Sequence, residues 1–136
     1  MLSRQARRLS TVALASALGT TLMFAVTTPA RAYFDSYLSG TIIGKMSKDE
    51  AASFAKSVRK ALNDTADGQS ISWEFPATGK RLPVEGTLTP VTTKTDQGQS
   101  CRRLKTDLKR GSAEEHWAGW FCKQKDGQWK SRHVAE

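Results

Sequence analysis

Two cysteines stand at equal distances from a Gly-Ser pair: Cys101 lies ten residues before Gly111, and Cys122 ten residues after Ser112. Glycine at the first central position suits a two-residue type II′ hairpin turn. Such a turn pairs Arg110 with Ala113. Counting outward sets Cys101 directly opposite Cys122, on a non-hydrogen-bonded rung where Cα atoms lie ~4.5 Å apart. A disulfide accepts Cα separations of ~4.4–6.8 Å. Turn chemistry and cysteine chemistry therefore specify the same register, and a Cys101–Cys122 disulfide is expected across an antiparallel hairpin.

The same count sorts the side chains. Beside the disulfide fall Arg103 opposite Trp120, Asp107 opposite His116 and Lys109 opposite Glu114, a cation–π candidate and two charge-complementary pairs. The other face carries Leu104, Leu108, Trp117 and Phe121, an apolar set that needs a partner layer. Ser47-Lys-Asp-Glu50 supplies one, because it is a capping box ahead of a helical stripe. Ala51, Phe54, Ala55, Val58, Ala61 and Leu62 recur at helical spacing, and Asn63-Asp64 and Gly68 end the pattern. A helix is expected over 48–64.

From Gly68 the period changes to two, with turn residues between short runs of Ile, Trp, Phe, Val, Thr and Leu. Strands are expected near 69–75, 81–93, 99–110, 114–123 and 128–134. Pro76-Ala-Thr-Gly79, Asp96-Gln-Gly98, Gly111-Ser112 and Asp126-Gly127 are the breaks. Pro83 and Pro90 make parts of the second strand an edge or a bulge. Read as a type I′ turn, Asp126-Gly127 places Trp129 on the disulfide side. The fold class is α+β: one N-terminal helix packed on an antiparallel meander of four to five strands, with one disulfide.

The first thirty residues have a different character. Arg4, Arg7 and Arg8 form a basic start without acidic residues, an apolar run follows from Val12 to Val26, and Thr27-Thr-Pro29 breaks it. Ala30-Arg-Ala32 then offers the small residues that signal peptidase reads. The run of about 15 residues is short of the ~20 that a membrane-spanning helix needs. Residues 1–32 are expected to be a cleaved secretory signal, 33–46 a linker and 47–136 one domain. No cysteine at the cleavage point invites lipidation. In the linker, Tyr33, Phe34, Tyr37 and Leu38 either dock on the domain or form an exposed anchor; the sequence does not choose. An even cysteine count in an oxidising compartment agrees with a disulfide.

The whole chain has a net charge of +8, but four arginines leave with the signal, so the mature balance is +4. That is an ordinary solubility charge rather than a nucleic-acid footprint. It leaves at most a peripheral contact with membrane. His116 and His133 lack metal-ligand spacing, and cysteines bonded to each other cannot bind zinc. No Gly-x-Ser-x-Gly or phosphate-binding loop is present, so no catalytic residue, cofactor or metal is expected. Glu114-Glu115 beside a turn reads as solvated charge. The run Arg102, Arg103, Lys105, Lys109, Arg110 reads as an exposed strand protected from edge pairing by charge, ahead of an anionic-polymer site. Trp73, Phe75, Trp117, Trp120, Phe121 and Trp129 are dense for so small a chain. They either fill a thin core or stack on a ligand, and Trp73, Arg103, Trp120 and Trp129 are the candidate ligand or partner surface.

Ile43-Gly-Lys-Met-Ser-Lys-Asp-Glu50, Ala61-Leu-Asn63 and Gly68-Gln-Ser-Ile-Ser-Trp73 resemble the C-terminal domain of the bacterial 17-kilodalton surface-antigen family. So do Pro76-Ala-Thr-Gly79, Cys101-Arg102 and Trp120-Phe-Cys-Lys-Gln-Lys-Asp-Gly-Gln-Trp-Lys130. The resemblance spans about 43–130. Family members are typically outer-membrane lipoproteins with a glycine zipper. This sequence lacks the lipidated cysteine and keeps only Gly40 and Gly44 of a zipper. The resemblance therefore implies a periplasmic or secreted variant, with no catalytic residues to carry over. The expected function is a non-enzymatic cell-envelope binding or scaffold domain acting on an unidentified envelope component or protein partner. The alternative is a small secreted inhibitor of a hydrolase.

Overall fold

The computed structural model describes residues 38–136; the expected signal (1–32) and the start of the expected linker (33–37) lie outside the described residues. Among the described residues, helix α1 (Lys48–Asp64) precedes five strands: β1 (Ile71–Phe75), β2 (Val84–Asp96), β3 (Gln99–Arg110), β4 (Ala113–Lys123) and β5 (Trp129–Ser131). The strands form one antiparallel sheet in chain order, β1-β2-β3-β4-β5. This is the α+β meander that the sequence leads one to expect.

Local chemistry sets each boundary. At the start of α1, Ser47 Oγ accepts from Glu50 N at 3.2 Å and Ser47 N donates to Glu50 Oε2 at 2.8 Å, so both arms of the capping box are closed. The β3–β4 turn has Gly111 at φ 58° and no positive φ at Ser112, as a type II′ turn requires. Every rung predicted from it is present, from Arg110↔Ala113 to Cys101↔Cys122. The cysteines are bonded, fully buried, with Cα atoms 4.0 Å apart. Strand β2 runs from 84 to 96, three residues later than the expected 81–93. Arg81 instead pairs with Thr78 in an isolated bridge, and Pro83 separates it from the sheet. A register shift falls between Pro90 and Thr92, where the proline cannot donate to a ladder.

One expectation fails, and the turn explains it. Gln124 N donates to Gln128 O, and Gly127 N to Gln124 O, with Gly127 at φ 83° and Asp126 not at positive φ. The loop therefore holds three residues, a type I turn followed by a left-handed glycine, and not the two of a type I′ turn. One extra residue moves the register by one and reverses every side chain. Trp129 pairs with Lys123 and lies on the helix side, not the disulfide side.

The core lies between α1 and the sheet. Ala61 and Leu62 meet Trp73, Val84, Leu88, Leu104 and Leu108, and Ile42 of the preceding segment joins them at 5% exposure. Burying each large side chain contributes about 1.5–3 kcal/mol. Segment 38–46 is thus attached to the domain: Ile42 N donates to Glu115 Oε1 at 2.7 Å. Glu115 also accepts from Trp117 Nε1, so it is a tie rather than the solvated charge expected.

Two buried charge clusters hold α1 at its ends, and both contradict the reading of 102–110 as a run of exposed edge charge. β3 lies inside the sheet, and the hairpin register aims Arg102 and Arg110 at the helix side. At the start of α1, Glu50 is 1% exposed and pairs with Arg81 at 2.7 Å and Arg110 at 2.8 Å. At its end no basic residue occupies the last turn. Arg102 supplies that charge from β3. It donates to Leu62 O and Thr65 O at 2.7 Å each and to Ala61 O at 3.3 Å, and pairs with Asp67 at 2.6 Å. The last carbonyls of the helix, of which Ala61 O also accepts from Thr65 N, and the negative end of the helix dipole are met together.

Glu50 makes stability depend on acid. The hydrogen bond from Arg81 holds its carboxyl at about 2 against an ordinary 4.5; burial opposes this, and Ser47 and Arg110 add to the lowering. Because the folded value lies below the unfolded one, the stabilisation is complete above pH 4.5 and is lost as pH falls toward about 2. It amounts to about 2–3 kcal/mol, the range allowing for solvent around Arg81, which is 41% exposed. Glu50→Gln should melt lower at neutral pH and show a flatter acid dependence across that window; parallel curves for the two proteins would contradict this.

Candidate functional site

The sheet has a helix side and an outer side, and among the described residues no helix covers the outer side. Its rows follow from the register: Glu74, Glu85, Lys109 and Glu114 in one, and Ser72, Thr87, Asp107 and His116 in the next. Together they line a depression of about 540 Å³. Within it His116 Nδ1 lies 2.6 Å from Asp107 Oδ1 and Lys109 Nζ 3.9 Å from Glu114 Oε1, while Lys105 Nζ, beside it, is 3.5 Å from Asp107 Oδ2. The hydrogen bond with His116, more than the charge of Lys105, holds the Asp107 carboxyl below its ordinary range. Asp107 orients His116, but no nucleophilic side chain is bonded to that imidazole among the described residues, so the pair lacks the third member of a hydrolytic arrangement. No group of three or more His, Cys, Asp or Glu among the described residues could hold a metal ion.

The other half of the outer side is closed by the chain's own tail. After β5, Arg132 N donates to Trp120 O. Its guanidinium then pairs with Asp96 at 2.7 Å and lies 3.4 Å from Cys101 Sγ. Val134, 2% exposed, packs on the disulfide beside Trp120. Lys94 Nζ donates to Ala135 O, and Arg103 pairs with Glu136 at 2.8 Å.

The four residues expected to share a surface are therefore divided. Trp73 is buried on the helix side, its Nε1 donating to Ser53 Oγ at 3.0 Å and its ring 5.0 Å from Phe54. Trp129 is also on the helix side, tied to Asn63 Oδ1 at 2.9 Å. Trp120 and Arg103 are opposite each other on the outer side, under or beside the tail. The cation over Trp120 is Lys94, 5.0 Å from the ring centroid, and not Arg103, which Glu136 engages. Arg102 and Glu50 were missed by sequence reasoning. The hairpin register already puts Arg102 on the apolar side, and a charge at a core position signals a buried ion pair.

Fold and surface together define a small disulfide-bonded α+β domain whose buried charges hold the helix while the tail covers only half of its outer face. The chain belongs to the 17 kDa outer membrane surface antigen family, whose sequence model matches residues 60–130. Among curated proteins it is similar to the 17 kDa surface antigen of Rickettsia bellii, strain RML369-C, and to that of Rickettsia bellii, each 33% identical over 73 residues. The match covers 53% of this chain and 43% of each relative, so the chain spans less than half the length of the curated relatives it matches. No solved structure matches. Both cysteines and Arg102 lie inside the matched segment; Glu50 lies before it.

Proposed function

We propose that this is an exported, non-enzymatic domain of the cell envelope that works by presenting a surface to a protein partner. The observation that carries the reading is the division of the sheet. One side is consumed by α1, half of the other by the tail, and the remaining half displays Glu74, Glu85, Asp107 and Glu114 beside Lys109 and His116. A shallow face rich in charged side chains contributes specificity and association rate through charge complementarity. Its excess of carboxylates selects a partner that presents basic side chains. Surface-antigen relatives and the signal-like first 32 residues support the compartment.

Reversing two exposed charges on this face, Glu85→Lys with Glu114→Lys, should leave the melting temperature within a few degrees, since isolated surface charges contribute ~0–1 kcal/mol. It should abolish capture of those envelope proteins that the unaltered domain retains and that elute with salt. Equal capture by both proteins would sink the assignment of this face, and no salt-sensitive capture by either would sink the binding role.

A further inference from the structure

On the helix side of the sheet, α1 packs on β1 and β2, while segment 38–46 lies against the start of β4 through Ile42 and Glu115. Between the helix and the last hairpin remains a groove of about 520 Å³, with Phe54 and Val58 on one wall and Phe121 and Trp129 on the other. Part of the helix's apolar stripe opens onto it: Ala55 lines the groove and is exposed, and Phe54 and Val58 are only half-buried.

The rim is cationic. Arg59 lines the groove, and Lys123 Nζ stands 5.8 Å from the centroid of the Trp129 ring. Neither makes an ion pair among the described residues, and neither do the exposed Lys48, Lys56 and Lys60 of the same helix. The open half of the outer face carries the opposite excess, with Glu74, Glu85, Asp107 and Glu114. The apolar groove thus has a cationic rim, on a helix whose exposed Lys48, Lys56, Arg59 and Lys60 outnumber its exposed Asp49 and Asp64, and it lies across the sheet from the carboxylate-rich half of the outer face.

We propose that this groove is the domain's seat on an anionic phospholipid surface. Phe54, Val58, Phe121 and Trp129 meet the acyl–headgroup boundary, Arg59 and Lys123 meet phosphate oxygens, and the acidic outer face turns toward the aqueous side. The proposal rests on the envelope location given above. Its chemistry is that of interfacial binding: amphipathic tryptophan, apolar area and basic residues combine where no one of them suffices. Each basic residue near an anionic surface changes partition about five-fold, an effect confined to a Debye length.

The test is sedimentation of residues 33–136, which contain every described core contact, with phosphatidylcholine vesicles with and without phosphatidylglycerol, at low and high salt. Binding should require phosphatidylglycerol and weaken with salt. Arg59→Ala with Lys123→Ala should reduce partition about 25-fold at an unchanged melting temperature. Lys105→Ala with Lys130→Ala removes the same charge from the outer face and should leave partition unchanged. Absence of phosphatidylglycerol-dependent binding would overturn the proposal. So would an equal loss with the outer-face pair, or a dimer that buries the groove and excludes vesicles. Capture of protein partners through the outer face is read in a separate assay without lipid, so either reading can fail alone.

Discussion

Arg102→Ala should destabilise the domain by about 3–5 kcal/mol, the usual consequence of removing one partner from a buried charged network. Its side chain is only 10% exposed and reaches three carbonyls at the end of α1 together with Asp67. Leu62, whose carbonyl would lose its side-chain donor, is 1% exposed, so water reaches that carbonyl only by opening the core; Ala61 O keeps its bond from Thr65 N. Small domains have about 5–15 kcal/mol in total, so a large part of the margin would go. Arg102→Lys should recover only part of it, because a single ammonium cannot replace a planar fork that reaches several acceptors. Arg103→Ala is the internal comparison. It removes a neighbouring arginine that is 41% exposed and pairs with Glu136, and should cost less than about 1 kcal/mol. Chemical denaturation of the three variants measures this; similar losses for Arg102→Ala and Arg103→Ala would refute the role given to Arg102.

Removing the disulfide should have an effect of similar size. Cys101 and Cys122 are 21 residues apart in sequence, and closing a loop of that length removes about 3 kcal/mol of chain entropy from the unfolded state. Cys101→Ala with Cys122→Ala avoids burying unpaired hydroxyls at two fully buried positions. The double variant should melt roughly 12–25 °C lower, at about 4–8 °C per kcal/mol for a domain of this size. The fold should survive, since the Gly111-Ser112 turn sets the same rungs without the bond. An unchanged melting curve would mean that the bond adds no constraint to the unfolded chain.

These two predictions also mark how much was legible in the sequence. The hairpin could be read to the individual rung because two independent constraints, a turn type and a bond length, agreed on one register. The helix limits followed from a capping box whose two ends are only three residues apart. Such signals are local, and local geometry decides them. Trp129 was misplaced because a single left-handed glycine turned a two-residue loop into a three-residue one, and strand parity carries such an error to every residue beyond. Arg102 and Arg110 were misread for another reason. Their residue type favours solvent, and only the helix lying across them, with its last carbonyls at one end and Glu50 at the other, makes burial favourable. Arg103 and Trp120 fall opposite each other as the register requires, whereas Trp73 was grouped with them on aromatic composition, which is blind to faces. The tail across the disulfide left no pattern in Arg132-His-Val-Ala-Glu136 that distinguishes it from a frayed end.

Export and closure by its own disulfide are the two properties on which the role of this domain depends. Intact mass of the protein recovered from the periplasm and from the medium, with and without thiol alkylation under non-reducing conditions, tests both most directly. A mass beginning at Tyr33, two hydrogens light and unchanged by alkylation, is the predicted result. A mass that includes residues 1–32 with two alkylated thiols would contradict both the export and the bond.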